Sequence, residues 1–314
     1  MKQEHPQQQL PWIHSAEHPL FDLAYADDTI IMARAAQTVQ AALHHIQRIA
    51  TQSNLKLNLK KCELLRQNAT QNIHFIDGTQ VQNKTQAKYL GVILRDDGKT
   101  HTDVRSRVAK AREGFKQLHK FWRHTNINKQ WKLRVYRAIF IPMITNGMES
   151  AALTETSKKQ LNAFHHSSLR KIFNIKSTFY TKVLDTTKPT VTNEQVLKRA
   201  HTAPLSDYIL SQQLKLFGHV LRAGQETIEH SVCFTKQMVY RADRTVKMRQ
   251  GGPTLHWLEE LAAEVWCLLP LVSITVPHNP LQMPYSFLFM KQVALNRSVW
   301  QTLTVLPTGS WELP

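Results

Sequence analysis

Phe21 to Met32 reads FDLAYADDTIIM. Asp27 and Asp28 stand between two apolar runs, Phe21, Leu23 and Tyr25 before them and Thr29, Ile30 and Ile31 after. Aromatic and β-branched residues favour extended backbone, so a β-hairpin is expected with its polar centre at the tip. Ala-Asp-Asp-Thr lacks the Asn-Gly or Asp-Gly pair of the tightest two-residue turns. Paired carboxylates on such a tip suit a hard cation, because Mg²⁺ takes a few carboxylate oxygens together with substrate phosphates. A solvated Asp-Asp turn has the same composition, and these residues alone do not separate the two.

The chain around the hairpin predicts an α+β unit over 21–98, preceded by a Gln-, Pro- and His-rich tail over 1–20 expected to be disordered. From Thr38 to Gln52, Val39, Ala42, Leu43, Ile46, Ile49 and Ala50 recur at the helical period. Leu55, Leu57 and Leu59 alternate with Lys56, Asn58 and Lys60, the pattern of a half-buried strand. Asp77-Gly78 predicts a hairpin between Ile73–Ile76 and Gln80–Gln82, and Ala87–Leu94 reads as one further strand. Together these describe a small antiparallel sheet with one helix.

Beyond His101 the texture is helical. Val104, Val108, Ala111, Phe115, Leu118 and Trp122 form one apolar stripe. A second helix is expected from Lys129 to Phe140, ending at Pro142. A third is expected to begin with a capping box, Ser157 with Gln160, and a fourth with Thr192 and Gln195. Pro204 suits the first turn of a fifth. The organisation expected is a helical segment over 99–153, a helical C-terminal region over 154–264 and an irregular, Pro-interrupted tail over 265–314.

Tyr25-Ala26-Asp27-Asp28 resembles the Tyr-x-Asp-Asp active-site hairpin of reverse transcriptases, in particular those of non-LTR (LINE-type) retrotransposons. The likeness continues in order through SNLKLNLKKCE (Ser53–Glu63), which is similar to the family's Leu-x-x-Asn-x-x-Lys segment at Asn58 and Lys61, and KYLGVI (Lys88–Ile93). TNEQVLKR (Thr192–Arg199), LKLFGHVLR (Leu214–Arg222), GGPTLHWLEEL (Gly251–Leu261) and NRSVW (Asn296–Trp300) are similar to segments downstream of the polymerase core. The resemblance implies that 21–98 is the C-terminal half of a palm and 99–153 a thumb. It also implies an RNA-directed DNA polymerase using an RNA template and a DNA primer, with Mg²⁺ held by Asp27 and Asp28. Lys61 would donate a proton to pyrophosphate, or be an ordinary surface lysine beside Lys60. Tyr89, Leu90 and Gly91 would form the primer grip, or a buried strand with a close-packed glycine.

Two-metal nucleotidyl transfer in this family needs a further aspartate from an earlier strand. Only 26 residues precede Asp27, and they carry no such segment. Asp22 lies five positions away on the opposite face of an extended chain. The chain is therefore expected to be a truncated downstream part of a polymerase, inactive as it stands. The other readings are a non-catalytic, basic nucleic-acid-binding remnant and a product with no selected function.

The 314 residues carry a formal net charge of +17, which favours a polyanionic partner. The charge is densest between Arg105 and Arg137, where Arg105, Arg107, Lys110, Arg112, Lys116, Lys120, Arg123, Lys129, Lys132, Arg134 and Arg137 accompany one acid, Glu113. Such a run is either the solvated face over an apolar stripe or a phosphate-neutralising surface for an RNA–DNA hybrid. Three scattered cysteines, Cys62, Cys233 and Cys267, do not make a disulfide framework. His230 and Cys233 have no second pair at zinc-finger spacing. No signal peptide or membrane span is expected, and an intracellular protein of nucleus or cytoplasm is.

Overall fold

The computed structural model describes residues 21–67, 69–176, 191–240, 257–276 and 285–308. The fold is α+β, and it divides between Lys99 and Thr100 into two compact units. The expected disordered tail, 1–20, lies outside the described residues, as does Gly251 to His256 of the GGPTLHWLEEL segment.

The first unit opens on an antiparallel hairpin, β1 (Phe21–Tyr25) and β2 (Asp28–Met32). Helix α1 (Ala36–Gln52) follows, with Ala42 and Leu43 buried. Leu43 packs with Ile73, Phe75 and Val81, flanked by Val39, Leu59, Cys62 and Leu64. The Gln40 side chain treats His74 as a strand would. Its amide donates to the His74 carbonyl and its Oε1 accepts the His74 N–H at 2.9 Å. Gln47 Oε1 likewise accepts the Ile76 N–H at 3.0 Å. These bonds satisfy backbone groups of a segment with a single β-bridge, His74 to Gln80.

Three expectations for this unit are corrected. Leu55–Leu59 is not a strand. Asn54 leaves α1 at φ 56, no strand pairs with the leucines, and Leu55 is 65% exposed. The extended segment comes later, as β3 (Glu63–Leu65), and it pairs in parallel with β4 (Gln82–Lys84). The expected single antiparallel sheet is thus three separate two-stranded ones. Ala87–Leu94 is two strands rather than one, β5 (Gln86–Tyr89) and β6 (Val92–Arg95), turned at Leu90-Gly91. Beyond β6, the Arg95 guanidinium sits 2.9 Å from Asp97 and, against the opposing effect of burial, holds its carboxyl at about 2.

The second unit is helical: α2 (His101–Gln117), α3 (His119–Arg123), α4 (Lys129–Thr145), α5 (Glu155–Phe173), α6 (Asn193–Ala200), α7 (Leu205–Arg222), α8 (Ile228–Cys233), α9 (Trp257–Leu268), α10 (Tyr285–Leu295) and α11 (Arg297–Val305). One core runs from Val104 to Ile209, centred on Phe115, Trp122, Tyr136, Phe140 and Phe164. Phe115 stacks on Trp122 at 4.4 Å between centroids, and the Trp122 indole N–H donates to the Phe115 carbonyl at 2.7 Å. A second core runs from Leu214 to Leu303. Helix α7 belongs to both, giving Leu205 and Ile209 to the first and Leu214, Phe217, Val220 and Leu221 to the second.

Helix boundaries follow capping chemistry more closely than the simplest pattern. The apolar stripe from Val104 to Trp122 is broken at Leu118, so α2 and α3 share it. Helix α4 passes through Pro142 to Thr145. Proline removes a bond to the carbonyl four residues earlier, and here that residue, Ala138, is exposed, where water can take the donor's place. The third expected helix starts earlier than Ser157: Thr154 is the N-cap, accepting from the Ser157 N–H, while Ser157 is buried inside the first turn. Thr192 and Gln195 form the expected capping box, and Pro204 is the N-cap of α7.

The segment expected to be an irregular tail, 265–314, contains α10 and α11, and Phe287, Met290, Trp300 and Leu303 from it are buried in the second core. The apolar texture of its described residues is that of core. Among the described residues, no helix is long and apolar enough to cross a membrane.

Candidate active site and nucleic-acid surface

The β1–β2 register pairs Tyr25 with Asp28, so the turn consists of Ala26 and Asp27 alone. Tyr25, Asp28, Leu23, Ile30 and Met32 share one face, and Asp22, with Ala24, Thr29 and Ile31, takes the other. Asp22 is therefore on the side away from Asp28. Both tip aspartates are exposed and neither makes a hydrogen bond or ion pair with a described residue. The turn requires a positive φ at its first position, and Ala26 adopts 54°. A side chain there costs about 1 kcal/mol. Ala26→Gly is expected to raise hydrogen-exchange protection of the hairpin amides about fivefold, by roughly 1 kcal/mol. Unchanged exchange would show that the turn is unstrained.

Tyr89, Leu90 and Gly91 sit at the tip of the β5–β6 hairpin. Leu90 has φ 46 and Gly91 φ 86, the two positive values of a type I′ turn. Tyr89 therefore closes a hairpin instead of running on through a buried strand, and Leu90 is 52% exposed. The Tyr89 hydroxyl donates to the Leu23 carbonyl at 3.3 Å, joining the second hairpin to the strand that leads to Asp27. Lys61 lies in the turn after Asn58, its N–H donating to the Asn58 carbonyl at 2.9 Å and its side chain exposed. Two carboxylates are short of a set for two divalent ions. Among the described residues no group of three or more His, Cys, Asp or Glu is arranged to hold a metal. The acidic pair has the donor chemistry that suits Mg²⁺.

Residues 9–94 match the family model of reverse transcriptase (RNA-dependent DNA polymerase). The matched stretch contains both hairpins, Lys61 and the core around Leu43. It supports a reverse transcriptase origin for this unit and does not reach the helical one. Neither a curated protein nor a solved structure matches the chain.

The basic run in the helical unit, expected to form the thumb of a reverse transcriptase, is divided by the structure into two groups. Arg105, Lys110, Arg112, Lys116, Lys120, Arg123, Lys129 and Arg134 are exposed. Three others are structural, which corrects their place among the phosphate-binding candidates. Lys132 is buried, and its Nζ donates to the carbonyls of Trp122 and His124 at 2.8 Å each, satisfying the end of α3. Arg107 is buried, ion-paired with Asp103 at 2.7 Å and hydrogen-bonded to the Asn146 carbonyl. Arg137 donates to the carbonyls of Ala200 and His201, at the end of α6. Helix C-termini leave carbonyls without partners, and cations are favoured there.

Of the aromatic residues interleaved with the basic run, Phe115, Phe121, Trp122, Trp131 and Tyr136, only Trp131 is exposed. It is 56% exposed, and the Arg134 guanidinium lies 5.6 Å from its ring centre. The sequence carries the signal: Leu133, Tyr136, Phe140 and Ile144 make the buried stripe of α4, and Trp131 is out of phase with it. An exposed indole beside cations is a platform on which a base can stack. His230, by contrast, is buried with Nε2 3.2 Å from Met238 Sδ, which accounts for it without zinc.

Proposed function

We propose that the chain is part of an RNA-directed DNA polymerase of the non-LTR retrotransposon type, with Asp27 and Asp28 as two of the carboxylates that hold Mg²⁺ in the complete site. The observation that carries this reading is the Tyr-Ala-Asp-Asp tip, bonded through the Leu23 carbonyl to the Tyr89-Leu90-Gly91 turn inside the matched stretch. In this reading the second turn is the primer grip, and its tie to the first fixes primer end and carboxylates relative to each other. Lys61, exposed, would serve as proton donor to the leaving pyrophosphate. In this reading nucleotidyl transfer needs a further carboxylate beside Asp27 and Asp28 in the metal cage, and nucleic-acid binding falls to the exposed cations of the helical unit.

The eight exposed cations of α2 to α4 would neutralise the phosphates of an RNA–DNA hybrid, and Trp131 would stack on a base. Affinity for such a hybrid is expected to fall about 100-fold between 50 and 200 mM salt, as for roughly four phosphate contacts. A flat salt response would overturn the nucleic-acid reading. In a primer-extension assay with Mg²⁺ no product is expected. Extension abolished by Asp27→Ala would show that the chain completes the cage and overturn its inactivity.

A further inference from the structure

Two stretches singled out in the sequence, LKLFGHVLR and NRSVW, lie far apart in the chain and meet in the second core. The Trp300 indole N–H donates to the Leu214 carbonyl at 2.9 Å, and its ring meets Phe217 edge-on at 5.9 Å. Trp300 lies directly over Gly218. This close approach of α11 to α7 leaves a groove of about 580 Å³ along their shared edge. Lys215, His219 and Arg222 line it from α7, at i, i+4 and i+7. Arg297, Gln301 and Thr304 line it from α11 at the same spacing. Each row is about 10 Å long, since a helix rises about 1.5 Å per residue.

The lining contains three permanent cations and a histidine, with no carboxylate among them. Arg222 is half-buried, held by a bond to the Ala294 carbonyl at 3.2 Å. Its guanidinium is pulled below the usual arginine range by burial and then by Arg297 beside it. Arg297 also occupies the first turn of α11, where the helix end is itself positive and a cation is disfavoured by about 0.3–1 kcal/mol. Of these cations Arg222 is bonded to the fold, through the Ala294 carbonyl, and Arg297 and Lys215 lie exposed beside it. A bound polyanion would offset their repulsion.

We propose that the groove between α7 and α11 is a second nucleic-acid site, holding the phosphodiester backbone of a strand without reading its bases. Lys215 and Arg297 are exposed and make the charged contacts, His219 adds a further donor, and Arg222 is a positioning residue fixed by α10. Gln301 and Thr304 offer neutral hydrogen bonds along the second row. Base stacking is not available here, because the indole of Trp300 is buried and its N–H is already used on Leu214. The two rows of charges run for about 10 Å along a groove, a shape that fits the backbone of a strand better than a flat lipid surface. The site rests on these groove charges and not on the polymerase reading.

The test measures binding of the full chain to oligothymidylate across a salt series. The pair K215E/R297E is expected to weaken affinity about tenfold or more and to reduce the salt slope by about two. The loss should appear equally in a background carrying R112E/K116E, which separates the groove from the surface of α2. The neutral pair K215Q/R297Q, which keeps size without reversing charge, should show a smaller loss of the same slope and guards against misfolding. Unchanged oligonucleotide affinity in both pairs overturns the proposal. So does unchanged oligonucleotide affinity accompanied by lost binding to vesicles of acidic phospholipid.

Discussion

Replacing Gly218 with alanine is expected to destabilise the helical unit by about 2 kcal/mol. A Cβ at this position would fall closer than 3 Å to three atoms of the Trp300 indole, Nε1, Cδ1 and Cε2. Neither partner can yield cheaply. Trp300 is 3% exposed and fixed by its bond to the Leu214 carbonyl, and α7 runs through both cores. Overpacking of a tight core costs about 1–3 kcal/mol, and losing the indole bond adds about 1 kcal/mol. The better helix propensity of alanine returns only about 1 kcal/mol. Urea unfolding of the full chain measures the net change. In a Trp300→Leu background, where the ring is gone, Gly218→Ala should cost little or stabilise, so the two substitutions should couple strongly. Additive effects would show that the glycine is not there for the indole.

The second large effect concerns acid. His165 is completely buried, with Nδ1 2.8 Å from the Tyr136 hydroxyl. Its Nε2 has no partner at hydrogen-bond geometry, although the Ala203 carbonyl is near enough to oppose the shift. Burial first, and then the charges of His166 and Arg137, push the imidazole down to about 3. A histidine held neutral in the fold and ionising near 6.5 when unfolded takes up its proton only on unfolding. Its contribution is complete above pH 6.5 and is lost progressively as pH falls from there toward 3. Between pH 7.5 and 5.0 the loss amounts to about 2 kcal/mol, at about 1.4 kcal/mol per pH unit. His165→Gln keeps an acceptor for Tyr136 without the titration. The variant should lose about 2 kcal/mol less than the parent chain over that interval. An identical pH dependence in the two would place the acid sensitivity elsewhere.

What the sequence made legible was what local chemistry decides. The Asp-Asp hairpin, α1, the stripe of α2, and the Thr192–Gln195 box all announce themselves within a few residues. The Leu90-Gly91 turn did not, because leucine rarely accepts a positive φ and the flanking residues read as one continuous strand. Leu55, Leu57 and Leu59 showed the opposite failure, a clean alternation with no partner strand to use it. For the basic run, composition could count the charges but not say which ones the fold consumes. Lys132 is buried because α3 ends against it, a fact of packing with no local sign. The same holds for Gly218 and Trp300, each quoted in its own motif, whose meeting across the chain only the folded structure reveals.

The exposure of the first hairpin governs how sharply its carboxylates are aimed. Among the described residues its two strands pair only with each other, Leu23, Tyr25 and Met32 lie open to solvent at 46%, 64% and 41%, and a 3.3 Å bond from Tyr89 ties it to the second hairpin. Two-stranded ribbons of this kind are marginal by themselves. A tip carried on so slight a ribbon is aimed chiefly by the Tyr89 bond, so an ion that needs one orientation of Asp27 and Asp28 would bind more weakly in proportion to any time spent in others. Covering those three side chains would raise ion affinity without altering either aspartate.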